Sequence, residues 1–363
     1  MNSVELCLFP GTLASVCAVL HKFTRSIGTG QILMGLFVLI LIPNRAAWAQ
    51  ESAPWQDPSK HRVQFVTVED GVRLEVLDWG GTGRPVVLLA GYNTAHLFDD
   101  FATKLSETSH VYGITRRGYG ASSCPDSGYT AQRSAEDVLQ VLDALKLVAP
   151  ILAGHSFGGQ DLSTIGATHS ERISGLVYLK SAEDPTLVFS DYGVAAADPN
   201  KLPAAMRTPP TPDFKSFQAY RDWQKRTHGV AFPESELRSL YTANPDGTMG
   251  KYIPPNSARN AIFAGRQKPD YAHIRVPVLA LFASATSLED EIQRYKPQNA
   301  EERAAMEQAY AVGLAVGTRH RRDLQKGIPA ARTVELLKAN YYIFLSNEQE
   351  VLRELRALVA SLQ

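Results

Sequence analysis

Little in this chain is present in excess. Lys and Arg together number 37, as do Asp and Glu, so the formal charge at neutral pH is zero. That balance offers no electrostatic footprint for nucleic acid, and none is expected as a partner. Cysteine is scarce, with three in 363 residues, at positions 7, 17 and 124. Internal repeats and low-complexity tracts are missing. No metal-ligand cluster at motif spacing, phosphate-cradling glycine loop or dinucleotide fingerprint appears, so no cofactor is implied. A long apolar run occurs once, from Ile32 to Ile42, and it is short for a membrane span. Lys22 and Arg25 precede it and Ala47-Trp48-Ala49 follows, the order of a basic flank, an apolar segment and a small-x-small cleavage site. Residues 1–49 are therefore expected to be a signal peptide directing export to the periplasm or outside the cell. An uncleaved N-terminal anchor is the competing reading, and membrane contact is expected only through that segment. Cleavage would remove Cys7 and Cys17 and leave Cys124 alone, without an internal disulfide.

What is there is a sizeable core. Hydrophobic residues make up 44% of the chain, enough for one large domain. Val63–Val68 and Val72–Leu77 flank the turn Glu69-Asp70-Gly71 and read as a hairpin. Pro85–Gly91, His110–Thr115, Gly175–Leu179 and Pro277–Ala283 are mostly apolar runs of strand length, as expected for a parallel sheet buried on both faces, and Ala331–Leu337 reads as the last strand. Val138, Val141, Leu142 and Leu145 recur at helical spacing over 134–147. Ser346 and Gln349 have capping-box spacing ahead of a final helix. Alternating strands and helices predict an α/β fold with a mostly parallel central sheet flanked by helices. From 185 to 272 the pattern changes to prolines and aromatics without a buried-strand run, which reads as a mostly helical insertion above the carboxyl edge of the sheet.

Chemistry concentrates at Pro150–Gly159. A short apolar run ends in Gly154-His155-Ser156-Phe157-Gly158, and Gln160-Asp161-Leu162-Ser163 opens a helix. Gly-x-Ser-x-Gly between a strand and a helix is the context of a nucleophile elbow, in which Gly154 and Gly158 let the backbone crowd a strained turn and Ser156 stands clear of the sheet. A serine hydroxyl is a weak nucleophile without a base in reach.

With this elbow, the Arg116–Gly120 stretch and the order of its strands, the chain resembles the α/β-hydrolase superfamily over 63–184 and 273–363. The resemblance implies an α/β-hydrolase core at 50–184 and 273–363 with a helical cap insertion at 185–272. It also implies that Ser156 attacks an acyl carbon, and that the backbone N–H groups of Tyr92 and Phe157 hold the resulting oxyanion. The histidine expected after the last strand falls at Tyr341, and no histidine follows His320. The acid that some members carry after the sixth strand falls at Lys180, with Glu183 and Asp184 as candidate acids a few residues on. His96 and His228 are the histidines placed to approach the cleft, although each is expected in packing; His155 is expected to point away from it.

Two readings follow. In the first, Ser156, Tyr341 and Lys180 form a replacement set, since a cation beside a tyrosine favours phenolate, which accepts a serine proton. The expected activity is then serine-dependent hydrolysis of a small, fairly apolar carboxylic ester or related acyl compound. In the second, the machinery is impaired and the fold binds a ligand without turning it over.

Overall fold

The computed structural model describes residues 55–362 apart from 209 and 285, so the expected leader at 1–49 lies outside the described residues. Eight strands form one sheet in the order β1-β2-β4-β3-β5-β6-β9-β10. The hairpin β1 (Arg62–Glu69) and β2 (Val72–Gly80) opens the chain, and β2 also pairs antiparallel with β4 (His110–Ile114). From β4 outward the sheet is parallel: β3 (Pro85–Leu89), β5 (Ile151–His155), β6 (Gly175–Leu179), β9 (Val278–Ala283) and β10 (Arg332–Leu336).

The apolar runs of the inner strands follow from their burial, whereas β10 at the edge keeps Arg332 and Glu335 exposed. Successive side chains point to opposite faces, so a strand covered on both sides has no polar positions to spare. On one face Val87, Leu89, Leu152, Leu176 and Ala280 pack against Val138 and Leu142 of α2 (Ala131–Ala144) and Leu162 and Ile165 of α3 (Gly158–Thr168). On the other, Val86, Leu88, Ile151, Ala153, Val177 and Leu279 meet Phe101 of α1 (Asp99–Leu105) and Val351 and Leu355 of α11 (Glu348–Ser361). Fully burying one such aliphatic side chain contributes about 1.5–3 kcal/mol.

Between β6 and β9 lies the insert. It carries the short α4 (Ala204–Arg207), then α5 (Phe217–His228), α6 (Glu234–Leu240) and α7 (Asn256–Ala264). It also contains an antiparallel hairpin, β7 (Tyr241–Ala243) with β8 (Met249–Tyr252). That hairpin is an addition to the helical expectation: its strands are too short to show periodicity, and the only trace of it was the turn sequence Asn244-Pro245-Asp246-Gly247. Beyond β9 come α8 (Leu288–Tyr295) and the long α9 (Ala300–Gly327).

The chain end corrects another expectation. Ser346 does not cap the last helix. It closes the separate short α10 (Ile343–Ser346), and Asn347 is the N-cap residue of α11 without a side-chain cap bond. The Ser346 hydroxyl instead accepts from the Asn340 N–H at 3.0 Å, bracing the turn that carries Tyr341. Among the described residues, no helix is long and apolar enough to cross a membrane.

Candidate active site

Ser156 sits in the turn between β5 and α3 with φ of 55°, a left-handed conformation that is costly for a residue with a Cβ. Its surroundings explain the glycines. A Cβ on Gly154 would stand 2.7 Å from the Gly158 carbonyl oxygen, and one on Gly91 would stand 2.8 Å from Ser156 Oγ and 2.9 Å from Phe157 N. The turn after β3 therefore lies directly against the serine and the following amide, and it leads into Tyr92, the second oxyanion donor that the family resemblance implies. The Tyr92 and Phe157 rings meet at 4.7 Å between centroids, so these two residues also pack on each other.

Opposite the serine stands Tyr341. Its phenol donates to Ser156 Oγ at 2.7 Å, where a base would have to be to take the serine proton. Two supports hold it. His155 Nε2–H donates to the Tyr341 carbonyl at 3.2 Å, and the His155 ring meets the Tyr341, Tyr342 and Phe344 rings. Burial keeps His155 neutral, its pKa pushed down to about 3, and its Nδ1 has no hydrogen-bond partner among the described residues. His155 thus turns away from the cleft, as its place in the strand implies, but acts as a brace for the residue that faces Ser156.

Lys180 follows β6 directly, with φ of 52° and its N–H bonded to the Leu281 carbonyl at 2.9 Å. Its ammonium lies 5.5 Å from the centre of the Tyr341 ring and pairs with the Glu183 carboxylate. Burial raises the Glu183 pKa, but Lys180 and His320 outweigh it and hold the carboxyl below its ordinary value. Asp184 is turned elsewhere: its carboxylate accepts from the N–H and hydroxyl of Thr186, at 2.9 and 2.6 Å, and shapes the entry to the insert. Of the two candidate acids, Glu183 belongs to the Lys180 side of the site and Asp184 to a turn.

His320 lies at the carboxyl edge of the sheet although it comes late in α9. That helix of 28 residues spans about 42 Å and passes the edge on its way. There the Asp184 N–H donates to His320 Nδ1 at 3.2 Å, and Tyr192 lies 3.2 Å from Nε2. His228 packs against Trp223 at 5.0 Å, and its carbonyl accepts from Asn340 Nδ2 at 2.8 Å.

The insert and the connection between β4 and α2 supply the remaining walls. Tyr119, Tyr129, Leu240, Ala258 and Ile262 form a buried apolar cluster against which Tyr92 and Phe157 pack, and Phe263 approaches Phe157 at 6.4 Å. Glu236 of α6 reaches the turn after β3. Its fully buried carboxylate accepts from Asn93 Nδ2 at 2.8 Å, from the Thr94 N–H at 3.2 Å and from the Thr94 hydroxyl. Burial raises its pKa to about 7 against the hydrogen bonds of Thr94 and Asn93. Nothing in the spacing of Glu236 marked it, since its partners lie more than 140 positions away.

A second group lies behind the same turn. His96 is buried between Asp99, 3.3 Å from its Nδ1, and Glu75, 3.6 Å from its Nε2. Burial opposes charge on this imidazole, but Asp99 and Glu75 prevail and raise its pKa to about 10. His61 Nδ1 stands 2.8 Å from Asp99 Oδ1. The His96–Asp99 spacing of three along one short helical stretch was the only local signal of this group.

Known proteins with similar sequences divide among several activities. The chain is 32% identical over 125 residues to a putative non-heme haloperoxidase of Mycobacterium phage D29, an alignment covering 34% of this chain and 44% of that one. It is 33% identical over 143 residues to a non-heme chloroperoxidase of Streptomyces lividans, covering 38% and 49%. Epoxide hydrolase 4 of Mus musculus is 28% identical over 157 residues, covering 41% and 42%. The chain thus spans just under half the length of these relatives. Among solved structures, E-2-(acetamidomethylene)succinate hydrolase superposes with a TM-score of 0.58 at 18% identity, covering 83% of this chain and 99% of that one. A bromoperoxidase from Bacillus anthracis superposes at 0.55 with 15% identity, covering 83% and 100%. These likenesses carry the fold. The model of the alpha/beta hydrolase family matches residues 86–354, which takes in the parallel strands from β3 to β10 apart from Pro85, the serine turn and Tyr341, and the chain belongs to that family.

Proposed function

We propose that the protein is a serine hydrolase of a small, largely apolar carboxylic ester or related acyl compound, with Tyr341 in the place of the general base. The observation that carries this reading is the 2.7 Å contact between Tyr341 Oη and Ser156 Oγ. In the reacting form Tyr341 is phenolate and takes the Ser156 proton as Oγ bonds to the substrate carbonyl carbon. The Lys180 ammonium near the ring favours that negative charge. The carbonyl electron pair moves to oxygen, facing the Tyr92 and Phe157 amides. Collapse expels the alkoxide, which takes the proton back from Tyr341. Water then repeats the sequence on the acyl-serine, giving acid and free Ser156. The aromatic and aliphatic lining from Tyr92, Phe157, Phe263 and Ile262 supports an apolar acyl group.

One observation favours a second reading, a ligand-binding protein of this fold without turnover. Lys180 is paired with Glu183, whose charge offsets the cation that would favour phenolate. Fluorophosphonate labelling of the full chain, followed by intact mass from pH 7 to 10, separates the two. The hydrolase reading expects one adduct, rising with pH and missing from Ser156→Ala. Folded protein that takes no label across this range overturns it and leaves the binding reading.

A further inference from the structure

We propose that Asp57, His61, His96 and Asp99 bind one divalent transition-metal cation of zinc's class. One donor atom from each of the four lies within 4.8 Å of the others. Donors about 2.0–2.2 Å from a tetrahedral metal stand roughly 3.3–3.6 Å apart. The distances here bracket that spacing: His61 Nδ1 to Asp99 Oδ1 is 2.8 Å, His96 Nδ1 to Asp99 Oδ2 is 3.3 Å, and Asp57 Oδ2 is 3.7 Å from both His96 Nδ1 and His61 Nε2. His61 offers Nδ1 to Asp99 and Nε2 to Asp57, so only one of these contacts belongs to a single donor set; binding through either nitrogen draws the remaining donors, which lie within 4.8 Å, inwards by up to about 1 Å.

The surroundings are those of a supported site. His96 turns its Nε2 to Glu75, which in turn accepts from the Thr115 hydroxyl at 2.7 Å, giving the carboxylate–imidazole pairing that orients metal ligands. Asp99 accepts from Trp79 Nε1–H at 3.0 Å and from the Ser235 hydroxyl at 2.5 Å. His61, His96 and Asp99 side chains are each at most 9% exposed, whereas Asp57 keeps 26%, which leaves a path for an ion to enter. Two imidazoles with two carboxylates suit zinc and its neighbours. Magnesium and calcium prefer sites built wholly of oxygen, and copper(I) prefers sulfur. Two carboxylates also balance a divalent charge with both imidazoles neutral.

Such an ion would be structural. It would tie the segment ahead of β1, through Asp57 and His61, to the start of α1 and, through Asp99 and Ser235, to the insert. The site stands apart from Ser156 and does not depend on the hydrolase reading.

The test uses the full chain, purified without metal-affinity steps, dialysed against EDTA and titrated with zinc chloride or cobalt chloride. We expect one equivalent of either metal to bind, with the strong visible bands of tetrahedral cobalt. Saturating zinc should raise Tm by about 4 °C. Asp57→Asn, at the most exposed ligand, and His61→Asn should each weaken zinc at least tenfold while circular dichroism shows the parent fold. Failure to bind zinc or cobalt at millimolar concentration overturns the proposal, leaving the cluster as an ion-pair network. So does binding that is undiminished in both variants, or equal affinity for calcium.

Discussion

His155 and Tyr341 are joined at two points: the Nε2–H of one donates to the carbonyl of the other at 3.2 Å, and their rings meet edge to face with centroids 4.9 Å apart. The residue before Ser156 thereby fixes the residue facing that serine. This joint needs a neutral imidazole, and the sign of its pH effect follows. The unfolded chain protonates His155 near pH 6.5 and the folded chain only near 3. Between these values the unfolded state binds more protons, so the contribution is intact above pH 6.5 and is lost progressively as pH falls towards 3. By pH 4.5 the loss is of the order of 3 kcal/mol. His155→Gln keeps a donor for the Tyr341 carbonyl and does not titrate. Its urea midpoint should therefore fall less than the parent's between pH 7 and 4.5, and equal slopes for the two proteins would count against the joint.

Tyr341→Phe removes the hydroxyl from Ser156 and keeps the ring against His155. If Tyr341 is the base, kcat for p-nitrophenyl esters should drop by about 10²–10⁴ with KM little changed. The double variant Tyr341→His with Lys180→Asp restores the family's usual residue types at both positions. A working tyrosine set predicts a lower rate or an altered pH profile for it, whereas a gain over the parent would identify an impaired site.

Lys180→Met strands Glu183. The carboxylate keeps some solvent, so the cost should be about 2 kcal/mol, below the range for fully buried pairs. Adding Glu183→Gln should recover most of it, which a four-way comparison of urea midpoints would measure. Equal stability of the single and double variants would show that the pair matters little to the fold.

Glu236 gives a pH response of the opposite sign to His155. Its folded pKa of about 7 exceeds the ordinary 4.5, so the folded state binds more protons between those values. Its contribution is present below pH 4.5 and is lost as pH rises through 7, to the extent of about 3 kcal/mol. The groups facing the carboxylate are Asn93, Thr94, His96 and the rings of Tyr252 and Tyr342. Glu236→Gln should gain stability relative to the parent on going from pH 5 to pH 8. An unchanged difference across that range would remove Glu236 as a titrating group.

The sheet and the serine turn were legible because their causes are local. A strand buried on both faces has to be apolar throughout, and a turn at φ of 55° against β3 has to be flanked by glycine, so both leave marks in consecutive residues. Tyr341 and Lys180 were found through the family resemblance, which puts a histidine and an acid at those positions. The roles of His155 and His320 were not legible. One depends on a contact between positions 155 and 341 and the other on the path that a 28-residue helix takes past the sheet. Glu236 and the group around His96 draw partners from distant segments, and no spacing rule covers that. The capping-box pattern at Ser346 misled because the hydroxyl bonds backward to Asn340, a competition that spacing alone does not resolve.

The hydrogen bonds from Asn93 and Thr94 to Glu236, and from Ser235 to Asp99, fasten one end of the insert to the turn beside the serine. Lifting α6 away would leave buried carboxylates without their donors, a steep penalty for a motion repeated at every encounter. The insert is tied down beyond α7 as well, where the Gln267 N–H donates to Gln160 Oε1 at 2.9 Å and the Ala131 N–H to the Gly265 carbonyl at 3.1 Å. Of the two seams the one at α6 is the costlier to part, because it ends on buried carboxylates.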